Sequence, residues 1–272
     1  MIRFRKFKKK ILILLFLVAV VVWWCVSCSM TAYYVPDWDK ADISSIVEKD
    51  GFSEEDYEFL LRQTGLSKSA VDDLTEAGRK DELYDFADQY FEKAEYERDF
   101  LFFPIVACEV KKGEPIKVAP LKRGDVLVSL TTHTLGFRHG HSAIVTNEKT
   151  GEIIEHMVLG EVSAYSYING WSDYTTLAVL RYKDSEIAEK AATFAEEKLV
   201  GVPYNPLAGV IKKDKSCEEN ISSSHCSHLV WQAFCGAGAD IDGNGGNFVF
   251  PGDFLKCDDF EIVQIYGIKP IK

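Results

Sequence analysis

Short apolar segments separated by turn residues dominate the chain from Val118 onward and predict a β-rich domain. Two stretches instead carry apolar residues at helical spacing. One lies near residues 185–199, between Asp184 and Gly201, and the other follows Cys226. The combination predicts an α+β domain in which an antiparallel sheet packs on the helix that begins at Cys226. The predicted strands cover residues 125–130, 141–146, 152–158, 177–182 and 260–268.

Helical periodicity characterises the preceding region, residues 31–117. Ser53 is followed by three acids, and Phe52 can pack against Tyr57, which together form a typical helix start. We expect an acidic helical region that serves as a spacer or cap on the following domain, residues 118–272. The predicted helices run from 53 to 65, from 68 to 77 and from 81 to 100.

The first thirty residues have the pattern of a membrane-targeting segment. Six positive charges occur within the first ten residues, and residues 11–26 form an unbroken apolar run of sixteen that ends near Trp23 and Trp24. This pattern is typical of a signal peptide or an N-terminal membrane anchor. Cys28 is a candidate lipoprotein acylation site, and cleavage followed by secretion is the third option. By the positive-inside rule, we expect the body of the protein on the extracytoplasmic side.

The rest of the chain is strongly acidic, because the formal net charge of −11 already includes those six N-terminal cations. The segment Gly65-Leu66-Ser67, between two predicted helices, mimics the turn of a helix-turn-helix motif. Residues 31 to 110 nevertheless carry 21 acids against 8 basic residues. Because nucleic-acid binding depends on clustered positive charge, we do not expect a nucleic-acid partner.

Cys226 is the strongest candidate for chemistry, since it follows a serine-rich run and precedes Leu229 and Val230 at helical spacing. The first turn of a helix stabilises a thiolate, although buried cysteines that only fill space are also common. Upstream, His141 begins a predicted β-hairpin, and Glu155 lies on the second arm, about where a cross-strand neighbour of His141 falls. A carboxylate beside an imidazole fixes its tautomer. The three residues therefore predict a nucleophile, a base and a group that orients the base.

Five short sequence blocks occur in order between residues 120 and 267. They are Gly124-Asp125-Val126-Leu127-Val128, Gly140-His141, Ile154-Glu155, Gly201-Val202-Pro203-Tyr204-Asn205 and Cys226-Ser227-His228-Leu229-Val230. A later element, Val249-Phe250-Pro251-Gly252-Asp253-Phe254, follows them. The set resembles the NlpC-type cell-wall hydrolases, which have a papain-like fold. It is similar to their circularly permuted YycO/YiiX-like branch, because the histidine half precedes the cysteine half.

The resemblance implies a permuted papain-like catalytic domain with Cys226, His141 and Glu155 as the catalytic residues. It implies that Tyr204 faces the active-site cleft as a substrate-binding residue, where its hydroxyl could donate to a developing oxyanion. The implied reaction is hydrolysis of an amide bond without a cofactor. The expected substrate is a peptide of the peptidoglycan type.

Two positions depart from the family pattern and leave the substrate open. Ser142-Ala143 replaces Val-Gly after the histidine, and His225 replaces the aspartate or tyrosine that usually precedes the cysteine. A lipid-directed acyltransferase or esterase of the same permuted class is one alternative function. A surface-binding module with a vestigial catalytic triad is another, although the complete set of Cys, His and Glu argues against it.

Metal-site and disulfide interpretations of the remaining motifs are weaker. His139, His141, His225, Cys226 and His228 could form a zinc site, but their spacing matches no familiar zinc motif. Residues 240–245 copy the first half of a calcium-binding loop, whose twelfth position is Pro251 instead of glutamate. We therefore predict no bound metal. The other four cysteines of the soluble part lack disulfide spacing, and we expect most of them to be free and buried. They are Cys108, Cys217, Cys235 and Cys257.

Overall fold

Over the residues that the structure describes, the protein has an α+β fold built around two antiparallel sheets. The computed structural model describes residues 9, 12–23, 33–102, 106–209, 221–246 and 248–270. The large sheet has six strands, which are, from one edge to the other, Phe260–Tyr266, Leu177–Tyr182, Val126–Ser129, His141–Asn147, Glu152–Glu155 and Ala164–Tyr167. The small sheet has four strands in the order Tyr96–Phe102, Val106–Lys111, His133–Thr134 and Phe137–Arg138.

Helices cover both faces of the large sheet, which explains why its strands are apolar on both sides. Val126, Val128 and Ile144 pack toward the helices of the second half of the chain. Leu127 and Val145 lie on the opposite face and pack toward the helices of the first half. The first group of helices is Ser185–Lys198, Cys226–Gly236 and Pro251–Phe254, and the second is Ser44–Val47, Glu54–Thr64, Lys68–Glu76 and Glu82–Phe91.

The predicted start and end of the first helix are confirmed. Ser53 and Asp56 form a reciprocal capping box, in which each side chain accepts a hydrogen bond from the other residue's backbone N–H. Phe52 packs edge-on against Tyr57, with 5.5 Å between the ring centroids. The helix ends at Gly65, which adopts the left-handed conformation that glycine favours.

The predicted third helix is wrong over its last nine residues. It ends at Phe91, and Glu92 takes an extended conformation, so the following residues enter the strand Tyr96–Phe102. That strand pairs along its length with Val106–Lys111. This long-range pairing outweighs local helix propensity. The second strand also pairs with His133–Thr134, so the small sheet joins residues from both sides of the boundary expected at residue 117.

An ion cluster ties the first-half helices to the large sheet. Arg181 donates from Nε and Nη2 to the two carboxylate oxygens of Asp125, at 3.0 and 2.9 Å. Its Nη1 donates to Asp73 in the helix Lys68–Glu76, at 2.8 Å. The Asp125 side chain is only 1% exposed, and its Oδ2 also accepts the backbone N–H of Lys122. Asp125 therefore has a structural role at the start of its strand.

The predicted membrane segment lies mostly outside the described residues. Residues 12–23 within it are helical, and most of their large apolar side chains are exposed. Within the described ranges, no helix is both long enough and apolar enough to cross a membrane.

The expectation that most cysteines are free and buried is only partly right. Cys108 is free and buried, and Cys257 is free but partly exposed. Cys235 is disulfide-bonded, although the spacing of the cysteines gave no sign of it. Cys217 lies outside the described residues.

Candidate active site

Cys226 occupies the first position of the helix Cys226–Gly236, and its side chain is almost completely buried. The residue that caps this helix is His225, whose backbone is extended and whose Nδ1 accepts the backbone N–H of His228 at 3.3 Å. The cap is thus an imidazole and not one of the serines that precede it. The first-turn N–H groups of a helix lack intrahelical partners, so Cys226 lies where a thiolate is stabilised.

His141 is the first residue of its strand and follows Gly140, which has a positive φ of 78°. A side chain at Gly140 would collide with the carbonyl oxygen of Ser129 on the neighbouring strand, so only glycine fits this approach. In the hairpin, Glu155 pairs with Ala143, two residues further along than the expected partner His141. The diagonal arrangement still brings the two side chains together. His141 Nε2 lies 2.8 Å from Glu155 Oε2.

Trp171 completes the surroundings of this pair, and sequence reasoning missed it. Its indole Nε1 donates to Glu155 Oε2 at 3.0 Å. Its ring stacks on the imidazole of His141, with 5.1 Å between centroids and 23° between planes. Trp171 follows a short 3-10 turn, Ile168–Gly170, and no motif marks it. The only available signal was a large aromatic residue directly after glycine.

The electrostatics of the site favour an ion pair between Cys226 and His141. Burial alone would raise the pKa of the Cys226 thiol, but the hydrogen bond with His141, together with the nearby imidazole of His225, outweighs it and holds the pKa well below the usual value. Burial would likewise lower the pKa of His141, but the hydrogen bonds to Cys226 and Glu155 raise it to about 10. Because Glu155 occupies Nε2, the nitrogen left for the sulfur is Nδ1.

Glu155 remains ionised within this buried chain of groups. Burial would raise the pKa of its carboxyl group, but the hydrogen bond with His141 lowers it, with further help from Trp171. The three sequence-predicted residues thus form a connected thiol, imidazole and carboxylate. Such a connected set can generate a nucleophile and shuttle its proton.

Tyr204 lies near Cys226. Its segment runs beside Ser224: the Asn205 N–H donates to the Ser224 carbonyl at 2.7 Å, and the Ser224 N–H donates to the Pro203 carbonyl at 3.0 Å. Burial, together with the nearby Cys226, raises the pKa of the Tyr204 phenol. Its ring packs edge-on against His156, with centroids 4.9 Å apart. Tyr204 is therefore a protonated hydroxyl at neutral pH, able to donate.

The remaining histidines of the zinc hypothesis have other partners. His139 Nδ1 lies 2.8 Å from the Gly140 carbonyl oxygen, and its Nε2 lies 2.8 Å from Thr134 Oγ1. His228 Nδ1 lies 3.1 Å from Ser224 Oγ. In the described part of the chain, no three His, Cys, Asp or Glu side chains are grouped so as to hold a metal ion.

The segment that resembled half of a calcium loop forms a turn stabilised by its own hydrogen bonds. Asp240 Oδ1 accepts the indole N–H of Trp231 at 2.8 Å and the backbone N–H of Asp242 at 3.1 Å. Asp242 Oδ1 accepts the backbone N–H of Asn244 at 3.2 Å. These bonds give the acidic side chains a structural role in the loop after the Cys226 helix.

An apolar cavity of about 610 Å³ opens beside the His139-Gly140 segment that leads into His141. Its lining includes three cations and one acid, Arg138, Lys256, Lys269 and Asp253. The apolar residues in its wall are Leu130, Phe137, Phe250, Leu255 and Ile268. A cavity whose walls are mostly apolar can accept an apolar chain.

Comparisons with known proteins found no match to the chain among protein-family models, curated proteins or solved structures.

Proposed function

We propose that the protein is a cysteine hydrolase that cleaves an amide bond in a cell-wall peptide, without a cofactor. The observation that carries this proposal is the connected arrangement of Cys226, His141 and Glu155, in which the thiol has a lowered pKa and the imidazole a raised one. A buried cysteine that only fills space is expected to have a raised pKa instead.

The reaction follows from the positions of these groups. The Cys226 thiolate attacks the carbonyl carbon, a C–S bond forms, and the π electrons of the carbonyl move to its oxygen. The oxyanion then collapses, the C–N bond breaks, and the protonated His141 gives its proton to the leaving amine. Water, deprotonated by His141, then hydrolyses the thioester. Glu155 holds the His141 ring in place and stabilises its charged form.

We further propose that the fold is a circularly permuted papain-like domain of the YycO/YiiX-like branch. The support is the order of the sequence blocks, together with a Cys226 helix that packs through Leu229 and Val230 on the antiparallel sheet carrying His141 and Glu155. In the same scheme, Tyr204 borders the cleft as a substrate-binding residue. The backbone N–H of Cys226 contributes to the oxyanion site.

The proposed location is the extracytoplasmic face of the membrane, where a cell-wall substrate is within reach. The basic and apolar pattern of residues 1–30 supports this placement. The disulfide at Cys235 supports it independently, because disulfides persist in oxidising compartments.

The decisive experiment incubates the purified full-length protein in detergent with peptidoglycan fragments and analyses the products by mass spectrometry. We expect cleavage of a single kind of amide bond and complete loss of that cleavage in Cys226→Ala. A Cys226→Ala protein that cleaves as fast as the wild type would refute the assignment.

The apolar cavity beside His139 favours a second candidate, hydrolysis or transfer of a lipid acyl group. The same incubation with phospholipid and acyl-glycerol esters tests it, since an acylated Cys226 or a released fatty acid would appear in the mass spectrum. If Cys226 reacts with neither class of substrate, a surface-binding module becomes the preferred interpretation.

A further inference from the structure

His225 has a ring nitrogen that its helix-capping role does not use. Nδ1 accepts the backbone N–H of His228 at 3.3 Å, so this nitrogen carries no proton of its own. Ser227 Oγ also lies 3.3 Å from Nδ1, but its hydroxyl already donates to the Val249 carbonyl at 2.7 Å. The cap therefore fixes the neutral ring in the tautomer that has its proton on Nε2.

The orientation of this ring is fixed as well. His225 is 4% exposed and lies parallel to Phe248, with 4.9 Å between centroids and 10° between planes. Phe248 packs in turn on Phe250, at 4.4 Å between centroids. The Nε2–H direction is thus set by the helix cap on one side and by stacked aromatic rings on the other. A donor held in this way needs little reorganisation during a reaction.

Nε2 of His225 is buried and makes no hydrogen bond within the described part of the protein. Buried donors without partners are rare in folded proteins, because they lose their hydrogen bonds to water and form no new bond that compensates for the loss. The ring is nevertheless close enough to Cys226 to help lower the pKa of its thiol. The unused donor therefore belongs to a buried ring on the residue that directly precedes Cys226, whose sulfur would attack a carbonyl.

We propose that the Nε2–H of His225 donates a hydrogen bond to the oxyanion that forms when Cys226 attacks a carbonyl. This inference rests on the proposed function. As the C–S bond forms and the carbonyl π electrons move to oxygen, the new negative charge meets the His225 donor and the backbone N–H of Cys226. The donor is released when the oxyanion collapses and the leaving group departs. His225 is then a catalytic residue, in addition to Cys226, His141 and Glu155.

Two reactions of the same sulfur separate this role from a structural one. Iodoacetamide alkylates a thiolate by displacing iodide, and no oxyanion forms. 4-Nitrophenyl acetate acylates the thiolate through a tetrahedral oxyanion. The variant His225→Ser retains an oxygen that can cap the helix but has no N–H to donate. His225→Thr offers the same chemistry if the serine variant fails to fold. Mass spectrometry identifies the modified residue, so that only reaction at Cys226 is counted in the two rates.

We expect His225→Ser to slow the acylation of Cys226 by roughly 10²- to 10³-fold, the usual effect of losing one oxyanion donor. Alkylation should change by no more than a few-fold. The matched control is His228→Gln, on the same helix, where the wild-type Nδ1 is 3.1 Å from Ser224 Oγ and Nε2 is 3.3 Å from Gln232 Nε2. The His228→Gln variant should change the acylation rate and the alkylation rate of Cys226 by the same factor.

The outcomes distinguish the inference from the proposed function. Equal changes in the two rates for His225→Ser would show that His225 acts only on the helix or the thiolate, and would overturn the inference alone. Unchanged rates would also overturn the inference alone. A wild-type Cys226 that is alkylated but never acylated would overturn the proposed function, and the inference with it.

Discussion

Trp171 donates its indole N–H to the same Glu155 oxygen that lies against His141, and its ring also stacks on the imidazole. The tryptophan is 1% exposed, so this contact is sealed from water. One residue thereby satisfies a buried carboxylate and fixes the plane of the ring that the carboxylate supports. His141 can then rotate little, and its second nitrogen remains directed at Cys226.

Replacing Glu155 with glutamine should preserve the fold and lower turnover by roughly 10- to 10⁴-fold, as expected for a group that orients a catalytic histidine. The substitution removes the charge that helps to raise the pKa of His141 to about 10. Activity that depends on protonated His141 is lost as the pH rises through that pKa, so the alkaline limb should move to lower pH. Profiles of kcat/KM against pH measure this shift. An unchanged turnover would make His156 the next candidate for the orienting group.

Replacing Trp171 with phenylalanine should keep an aromatic ring beside His141 but remove the hydrogen bond to Glu155. We expect a loss of activity smaller than that of Glu155→Gln, about 10-fold, because the carboxylate keeps its charge. Tyr174→Phe is the control, since Tyr174 packs on the edge of Trp171 and makes no contact of this kind with the carboxylate. Steady-state kinetics with the substrate identified by mass spectrometry give the comparison.

Cys226 should be alkylated by iodoacetamide far faster than the other free cysteines at pH 7. Its thiol has a lowered pKa, so the thiolate persists as the pH falls. Burial raises the pKa of Cys108 to about 12 and also raises that of Cys257, so both remain thiols. The alkylation rate of each cysteine is measured against pH, both in the native protein and in guanidinium chloride. The rates should differ between cysteines in the native protein and be similar in the denatured one. Equal native rates would contradict a special role for Cys226.

Asp125→Asn should destabilise the fold by about 3 kcal/mol, because it leaves the buried Arg181 guanidinium short of a charge partner. Urea denaturation measures the change. Lys122→Met is the control: Lys122 pairs with Asp73 at 2.9 Å but is 55% exposed, so its loss should cost about 0–1 kcal/mol. The folded fraction of Asp125→Asn should retain wild-type alkylation of Cys226, as befits a structural residue.

Two glycines with nearly the same backbone conformation should differ sharply when replaced by alanine. Gly65 has a φ of 71° and Gly78 a φ of 69°. At Gly78 no other atom lies within 4 Å of an added Cβ, so only the conformational cost of about 1 kcal/mol applies. At Gly65 the new Cβ would collide with the carbonyl oxygen of Ile265, and we expect about 3 kcal/mol or more. Similar melting temperatures for the two variants would argue against this packing.

Protease added to intact cells should remove residues 31–272 and spare the N-terminus if the proposed topology is right. Digestion only after lysis would place the protein inside the cell and exclude a cell-wall substrate. Cys28→Ser should release the protein from membranes only if the chain is cleaved and lipidated at that residue, and should change nothing if an uncut helix is the anchor.

Local chemistry allowed much of this architecture to be predicted. The capping box at Ser53, the glycine at position 65 and the apolar periodicity after Cys226 each act within a few residues, so their patterns are visible in the chain. The candidate site was predicted for the same reason, since its histidine and carboxylate share one hairpin.

Features created by long-range contacts were missed. The strand Tyr96–Phe102 is stabilised by its pairing with a strand of the small sheet. That pairing is not visible in the local sequence, which therefore predicted a helix. The hairpin register depends on a bulge between Val145 and Asn147, which no turn residue in the sequence indicates. Trp171 reaches Glu155 from sixteen residues away, and the imidazole cap at His225 replaces the serine that local preference favours.

The helices of the first half and the large sheet share one hydrophobic core, so this layer cannot be discarded as a propeptide is. A protein trimmed at residue 118 would expose Leu127, Val145, Val179 and Val263 to water, and would leave Arg181 without Asp73. It would also remove Val106–Lys111, one of the two strands that pair with His133–Thr134 just upstream of His141. Cleavage at that boundary would therefore disrupt the sheet that carries His141 and Glu155.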